Sequence, residues 1–246
     1  MKFTTSLAAA AALSFGLVAA ADAEAAIVGD VTSITGVWTG ATGATASGIG
    51  TGSITWGTPA SGAGQSGYDF TNPSPLPTGI VPDGASFDLG AFTHNNNPIF
   101  APSITGATLE VDVTLDLRDT SDNSIVGSES LTSIFDFDHF ETPNNATPCA
   151  AGGVQPCPDL VSVVLNSGAS DSVTIDGVEY FFNITGFEVG GSTVSSFLTL
   201  ENQANSAILT GELTSSPTGV IPVPAALPLL ASGLAGLGFL GRRRRG

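Results

Sequence analysis

The amino-acid sequence predicts an all-β protein, built as an antiparallel two-sheet sandwich or a jelly roll. The first reason is composition: Thr, Ser, Val, Ile and Phe are frequent while Lys, Arg and Met are scarce, which favours strands over helices. The second is strict alternation of apolar and polar residues in several segments. The third is the 31 Gly and 15 Pro residues, which place turn signals between those segments. Because no internal repeat is visible, we expect a single domain.

The clearest strand prediction covers Leu109 to Arg118. Apolar residues occupy every odd position up to Leu117, and polar residues occupy the even positions. Such a period of two predicts a strand with one face on the core and the other in water. A helix would spread both residue classes around its whole circumference.

Residues 173–180 are predicted to form a hairpin, because Asp176 and Gly177 tolerate the positive φ angles of a tight turn. Two long stretches without alternation, 72–84 and 142–158, are predicted to be ordered surface loops. Further strands are predicted at 33–38, 52–56, 86–92, 130–137, 160–165, 194–200 and 207–213.

The amino terminus has the layout of a secretory signal peptide. Lys2 precedes an apolar run over residues 7–21, and small-residue cleavage sites follow at 21–23 and 23–25. Residues 1–25 are therefore expected to direct export through the Sec machinery and to be removed. The predicted β domain then covers residues 26–216.

The carboxyl terminus, residues 217–246, carries a proline motif, an apolar segment and an arginine cluster. The apolar segment runs from Ala225 to Gly241, which is marginal for a helix crossing roughly 30 Å of hydrocarbon. The arginines would keep the end of the chain on the cytoplasmic side. We therefore expect contact with the inner membrane, through either a transient stop or a retained anchor.

This carboxyl-terminal pattern resembles the PEP-CTERM sorting signal in its VPLPA form. The resemblance implies a Gram-negative bacterium, processing near the proline motif by an exosortase, and delivery to the cell surface or the extracellular matrix. The matching residues are Pro222, Pro224, Ala225, Arg242, Arg243, Arg244 and Arg245.

The body of the chain resembles the THxN-type PEP-CTERM proteins and the related choice-of-anchor surface proteins. The motif lies at residues 93–96, where Thr93, His94 and Asn96 match. Neither group implies an enzymatic activity. The imidazole between amides could bind a sugar or a metal ion, or it could satisfy backbone groups at a bend. Likewise, the two tryptophans of the chain could form a platform for sugar stacking or fill the core.

The charge balance excludes one large class of partners. The chain has 22 acidic and 6 basic residues, for a net charge of −16, and Arg118 is the only Lys or Arg between residues 26 and 216. Such a surface repels phosphate backbones, so nucleic-acid binding is excluded. It suits a protein kept soluble by self-repulsion, or one that meets divalent cations.

The densest acidic and aromatic cluster contains Asp136, Asp138 and Glu141. These carboxylates could hold Ca²⁺, the one cofactor that the sequence suggests, because calcium prefers oxygen ligands. Alternation places Asp136 and Asp138 opposite Phe137, and a bend would be needed to bring His139 to their side. The alternatives are a solvated strand face and the acid and base of a glycoside hydrolase.

Cys149 and Cys157 are predicted to form a disulfide, because export places them in an oxidising compartment. A metal site at these cysteines would need more soft ligands than the chain offers. The common signatures of metalloproteases, serine hydrolases and nucleotide-binding enzymes are missing from the sequence. We therefore expect an exported, non-enzymatic surface or matrix protein with a structural or adhesive role. The alternatives are a calcium-dependent carbohydrate-binding module, which would take an extracellular polysaccharide as its partner, and a polysaccharide-active hydrolase.

Overall fold

The computed structural model describes residues 26–60, 62–164, 172–175 and 177–217, and in this part of the chain every regular element is a β-strand. The predicted signal peptide and nearly all of the predicted sorting segment lie outside it. The strands are β1 (Ile27–Thr42), β2 (Ser53–Trp56), β3 (Thr58–Pro59), β4 (Ser66–Thr71), β5 (Phe87–Asn96), β6 (Ile99–Phe100), β7 (Gly106–Asp119), β8 (Ile125–Phe140), β9 (Asp159–Val164), β10 (Ser172–Ile175), β11 (Val178–Val189), β12 (Ser192–Val194), β13 (Ser196–Thr199) and β14 (Gln203–Pro217).

The strands form two antiparallel sheets that pack face to face, as predicted for a sandwich. The first sheet has the order β1-β7-β8-β9-β13. The second has the order β10-β11-β14-β5-β4-β2, with β12 added beside β11. A two-stranded ribbon of β3 and β6 lies apart from both.

Aromatic side chains from both sheets fill the core. Phe137 of the first sheet stacks on Phe92 of the second, with ring centroids 5.2 Å apart. Trp38 lies 5.3 Å from Tyr68, again across the two sheets. Trp38 and Trp56 are both fully buried, so they belong to the core and offer no sugar-stacking platform.

The strongest strand predictions are confirmed. β7 contains the whole alternating segment and extends it to Gly106–Asp119. The predicted hairpin is present because β10 pairs with β11, with Ile175 opposite Val178 and a positive φ of 79° at Gly177. Short strands such as β4 and β12 were not predicted.

The predicted disulfide is also confirmed, since Cys149 is bonded to Cys157. It closes part of the loop that joins β8 to β9. Within the described ranges there is no helix of the length and hydropathy needed to cross a membrane.

Candidate metal centre

Polar side chains from both sheets meet in the buried space at one end of the sandwich. β5 contributes His94 and Asn96, β8 contributes His139, and β9 begins with Asp159. Glu201 lies between β13 and β14. Each of these five residues is at most 5% exposed.

Strand alternation places the two histidines on the inner face. His94 follows the core residue Phe92 by two positions, and His139 follows Phe137 in the same way, so each imidazole continues an apolar row. The two rings come from opposite sheets and have centroids 5.2 Å apart.

The histidines differ in the partners of their ring nitrogens. His94 Nδ1 is hydrogen-bonded to Thr199 Oγ1 at 2.9 Å, while its Nε2 has no partner although it is buried. His139 Nδ1 is 2.6 Å from the hydroxyl of Tyr68, and its Nε2 is 3.3 Å from Glu141 Oε2. Each imidazole is thus held through Nδ1, which leaves Nε2 of His94 without a partner and Nε2 of His139 beside Glu141.

The carboxylates have few hydrogen-bond partners of their own. Asp159 Oδ1 accepts a hydrogen bond from the Thr142 backbone amide at 2.7 Å, while Oδ2 has no partner. Neither carboxylate oxygen of Glu201 has one. Glu141 Oε2 accepts a hydrogen bond from the Ser103 hydroxyl at 2.9 Å.

The disulfide-bearing loop holds part of the cluster in place. The Thr142 hydroxyl donates to the carbonyl of Pro158 at 2.9 Å, next to Asp159. The Cys157 amide donates to the carbonyl of Asn144 at 3.0 Å. The loop therefore fixes Asn144 and Asp159 on the two sides of the disulfide.

Burial without a counter-charge shifts the ionisation of these groups. Burial and the neighbouring Glu141 raise the pKa of Asp159 to about 8 and that of Glu201 to about 7. Burial, with His139 nearby, holds the pKa of His94 well below its usual value. The only Lys or Arg in the described ranges is Arg118, which pairs with Asp30 and belongs to no part of this cluster.

Two overlapping groups have donor atoms close enough to share an ion. We name His94, His139 and Asp159 the inner donor set, because one ligand atom from each lies within 4.8 Å of the others. We name Glu141, Asp159 and Glu201 the outer donor set, which meets the same limit. Asp159 belongs to both.

Two buried amide groups lie beside Glu201 of the outer set. Asn96 Oδ1 and Asn144 Oδ1 are buried and have no hydrogen-bond partner. Both amides lie near the Glu201 carboxylate and lower its pKa, which partly opposes the effect of burial. Neither forms a hydrogen bond of normal geometry with Glu201.

A pocket of about 340 Å³ reaches this region from the surface. Glu141 and Asn144 form part of its wall, together with Ser103 and Thr142. Glu141, the member of the outer donor set that lines the pocket, is therefore next to solvent, whereas the imidazoles of the inner set pack against aromatic rings.

The three carboxylates predicted to bind calcium do not come together. Asp136 and Asp138 lie on the outer face of β8, where Asp136 Oδ1 accepts a hydrogen bond from the Thr108 hydroxyl at 2.8 Å and Asp138 is exposed. Only Glu141 joins a donor set among the described residues. The reason is that β8 keeps its period of two as far as Phe140 and does not bend.

The THxN-like motif of Thr93, His94 and Asn96 has side chains on both faces of β5. Thr93 points outward and bonds to the Ser206 hydroxyl at 2.8 Å. His94 and Asn96 point inward and belong to the cluster. The expected bend is absent, because β5 continues through residue 96, so His94 does not serve a turn.

Asp159, Glu201 and Asn144 were missed as candidate residues. No recognisable motif surrounds any of them, and only the tertiary fold brings the three segments together. Compared with models of known protein families, the chain gives no match, and no curated protein matches it either.

Proposed function

We propose that this protein is an exported, non-enzymatic surface or matrix protein of a Gram-negative bacterium, with a structural or adhesive role, whose sandwich binds Ca²⁺ in the outer donor set. The calcium part rests on one observation. Carboxylate oxygens of Asp159 and Glu201 lie in one close group with Glu141 and have no hydrogen-bond partners, and the amides of Asn96 and Asn144, whose buried Oδ1 atoms are also without partners, belong to residues beside Glu201.

Such an arrangement is costly without a cation. A buried polar atom that lacks a partner costs roughly 1–3 kcal/mol, and an unpaired buried carboxylate costs more. A divalent ion would supply the missing partner to all of these oxygens at once. Calcium takes about 6–8 oxygen ligands, and carboxylates, amide oxygens and water from the pocket provide that chemistry.

A melting experiment tests calcium binding on the untagged protein after treatment with chelator. We expect Ca²⁺ to raise the melting temperature, because an ion that binds only the folded state stabilises it by mass action. Glu201→Gln should lose most of this shift, whereas Asp138→Asn, which removes an exposed carboxylate from the same sandwich, should keep it. Equal shifts in both variants, or none in the wild type, would contradict the proposal.

The pocket favours a calcium-dependent carbohydrate-binding module as the second candidate. Glu141 and Asn144 belong both to the cluster and to the pocket wall, so an ion held there has a side that faces the pocket. Hydroxyl or carboxylate oxygens of an extracellular polysaccharide could complete its coordination. Glycan arrays with and without chelator distinguish the candidates: calcium-dependent glycan binding supports the module, and no binding leaves the structural role.

A polysaccharide-active hydrolase has weaker support. Its proposed carboxylates, Asp136, Asp138 and Glu141, divide between the outer face of β8 and the pocket, whereas a glycosidase needs two carboxyl groups on either side of one bond. Polysaccharide turnover that disappears when all three are replaced by their amides would restore this alternative.

Export is proposed from the two terminal segments, with the Sec machinery and an exosortase as the processing partners. Mass spectrometry of the mature protein should find an amino terminus near residue 26 and a carboxyl terminus before Ala225. An intact arginine cluster in the envelope fraction would instead mean that the carboxyl-terminal segment is a retained membrane anchor.

A further inference from the structure

The calcium proposal leaves the inner half of the cluster without a role. His94 is fully buried, and its Nε2 has no partner. An imidazole is a poor ligand for calcium, but it suits zinc and other first-row transition metals. The sequence contains two histidines, and the fold brings both to this one place from opposite sheets.

We propose that the inner donor set is a second metal site, which binds a transition-metal ion of the zinc class through His94 Nε2, His139 Nε2 and Asp159 Oδ2. The three residues already bring ligand atoms within 4.8 Å of one another. Bonds of about 2.0–2.2 Å to one tetrahedral ion would draw these atoms to roughly 3.4 Å from one another, a contraction of at most about 1.4 Å. This site goes beyond the calcium proposal, because its nitrogen donors select a different ion.

Hydroxyl groups behind the two histidines can orient the imidazole rings, as carboxylates and carbonyls do in known metal sites. A histidine that binds a metal through one nitrogen donates its other N–H to an oxygen, which fixes the orientation of the ring. Here Thr199 Oγ1 lies 2.9 Å from His94 Nδ1, and the Tyr68 hydroxyl lies 2.6 Å from His139 Nδ1. Both oxygens can accept those protons when the metal occupies Nε2.

The surroundings also favour a tightly held ion. The Trp56 ring stacks on His94 at 5.7 Å, and Tyr68 packs against the same imidazole at 5.0 Å. These buried rings limit the access of water, which strengthens coordination. Glu141 Oε2, 3.3 Å from His139 Nε2, offers a carboxylate oxygen beside the site as a fourth ligand.

Asp159 connects the two proposed sites. Its carboxylate belongs to both donor sets, so one oxygen or both could be shared between a calcium ion and a zinc-class ion. Two divalent cations would then balance the negative charge of the three carboxylates in a region that has no Lys or Arg among the described residues.

Cobalt titration of the untagged, chelator-treated protein tests the inner site. Co²⁺ bound to imidazole nitrogens in a site of low coordination number gives visible d–d absorption, and zinc should displace it. We expect saturation at one Co²⁺ per chain. In His94→Gln the affinity for Co²⁺ should fall by at least about 100-fold, because losing a group that only supports a ligand already lowers metal affinity by about 10–100-fold. Asp138→Asn should bind Co²⁺ as the wild type does.

A second measurement needs no substitution and covers the case in which His94→Gln does not fold. The ring protons of both histidines should show paramagnetic shifts in the Co²⁺-loaded protein, and no other histidine can contribute to that signal. No visible absorption with the wild type, or unshifted histidine protons, would overturn the inner site. If calcium still raises the melting temperature in that case, the calcium proposal stands without the inner site. If Co²⁺ binds to the histidines but calcium does not raise the melting temperature, only the inner site stands.

Discussion

Asp159 governs how the metal-free protein should respond to pH. Its pKa is about 8 in the folded protein, against an ordinary value of 3.8. Between these values the folded state holds a proton that the unfolded chain has lost, so the free energy of unfolding falls as the pH rises. Glu201, with a pKa of about 7, acts in the same direction. His94 acts in the opposite direction, because its pKa is lowered, but only below its ordinary value of 6.5.

We therefore predict that, in chelator, the wild-type protein loses stability between pH 6.5 and 8. The slope is at most about 1.4 kcal/mol per pH unit for each retained proton. Asp159→Asn should flatten the dependence, because it removes one of these protons. Urea denaturation at several pH values measures both proteins. A wild-type stability that rises with pH over this interval, or a variant with an unchanged slope, would contradict the prediction.

One signal for the cluster was present in the sequence. Phe92, His94 and Asn96 have the spacing of one strand face, and so do Phe137 and His139. A polar residue at a core-facing position of an alternating strand indicates a buried polar site. The carboxylates Asp159 and Glu201 had no such signal, because each lies at a strand end or in a turn whose partner is known only from the fold.

At the scale of elements, the loop between β8 and β9 couples the disulfide to the outer donor set. Asn144 and Asp159 flank the Cys149–Cys157 bridge. The Asn144 carbonyl accepts a hydrogen bond from the Cys157 amide, and the Asp159 carboxylate accepts one from the Thr142 amide at the start of the same loop. We predict that replacing both cysteines by serine lowers the free energy of unfolding by about 2–3 kcal/mol, as expected for so short a closed loop. It should also weaken calcium binding, because the two oxygen donors are no longer fixed.

Urea denaturation and the calcium midpoint of the melting shift measure the two effects of the cysteine replacement. Val154→Ala is the matched control, because Val154 belongs to the same loop and is 79% exposed. It should leave both quantities unchanged. A cysteine variant with wild-type calcium affinity would show that the loop positions the donors without the disulfide.

Strands were predictable from the sequence where apolar and polar residues alternate strictly, as in β7. They were not predictable where only hydrogen bonding to neighbouring strands makes the segment a strand. β4 contains Gly67 and Asp69, which are poor strand formers, yet it is held between β2 and β5. Tyr68 of this strand is completely buried, and its hydroxyl is hydrogen-bonded to His139. An unpredicted strand therefore supplies a supporting residue of the candidate site.

At the scale of the whole molecule, self-repulsion should limit stability. The net charge is −16, and the pair formed by Arg118 and Asp30 is partly exposed, so it offsets little of the repulsion. We predict that, in chelator, the melting temperature rises as NaCl increases from about 0.05 to 0.5 M, because salt screens like charges. KCl should act equally. A falling melting temperature, or a difference between the two salts, would contradict simple screening.

The position of β14 has a mechanical consequence. It ends at Pro217 and is hydrogen-bonded on one side to β11 and on the other to β5. If the protein is tethered through its carboxyl end, a pulling force enters the sandwich along this interior strand. Pulling β14 out of its sheet then requires the hydrogen bonds on both of its sides to break together, because the force acts on all of them at once. An edge strand, which is hydrogen-bonded on one side only, would separate at a lower force. Such a tether would load the fold in the direction in which this strand best resists extraction.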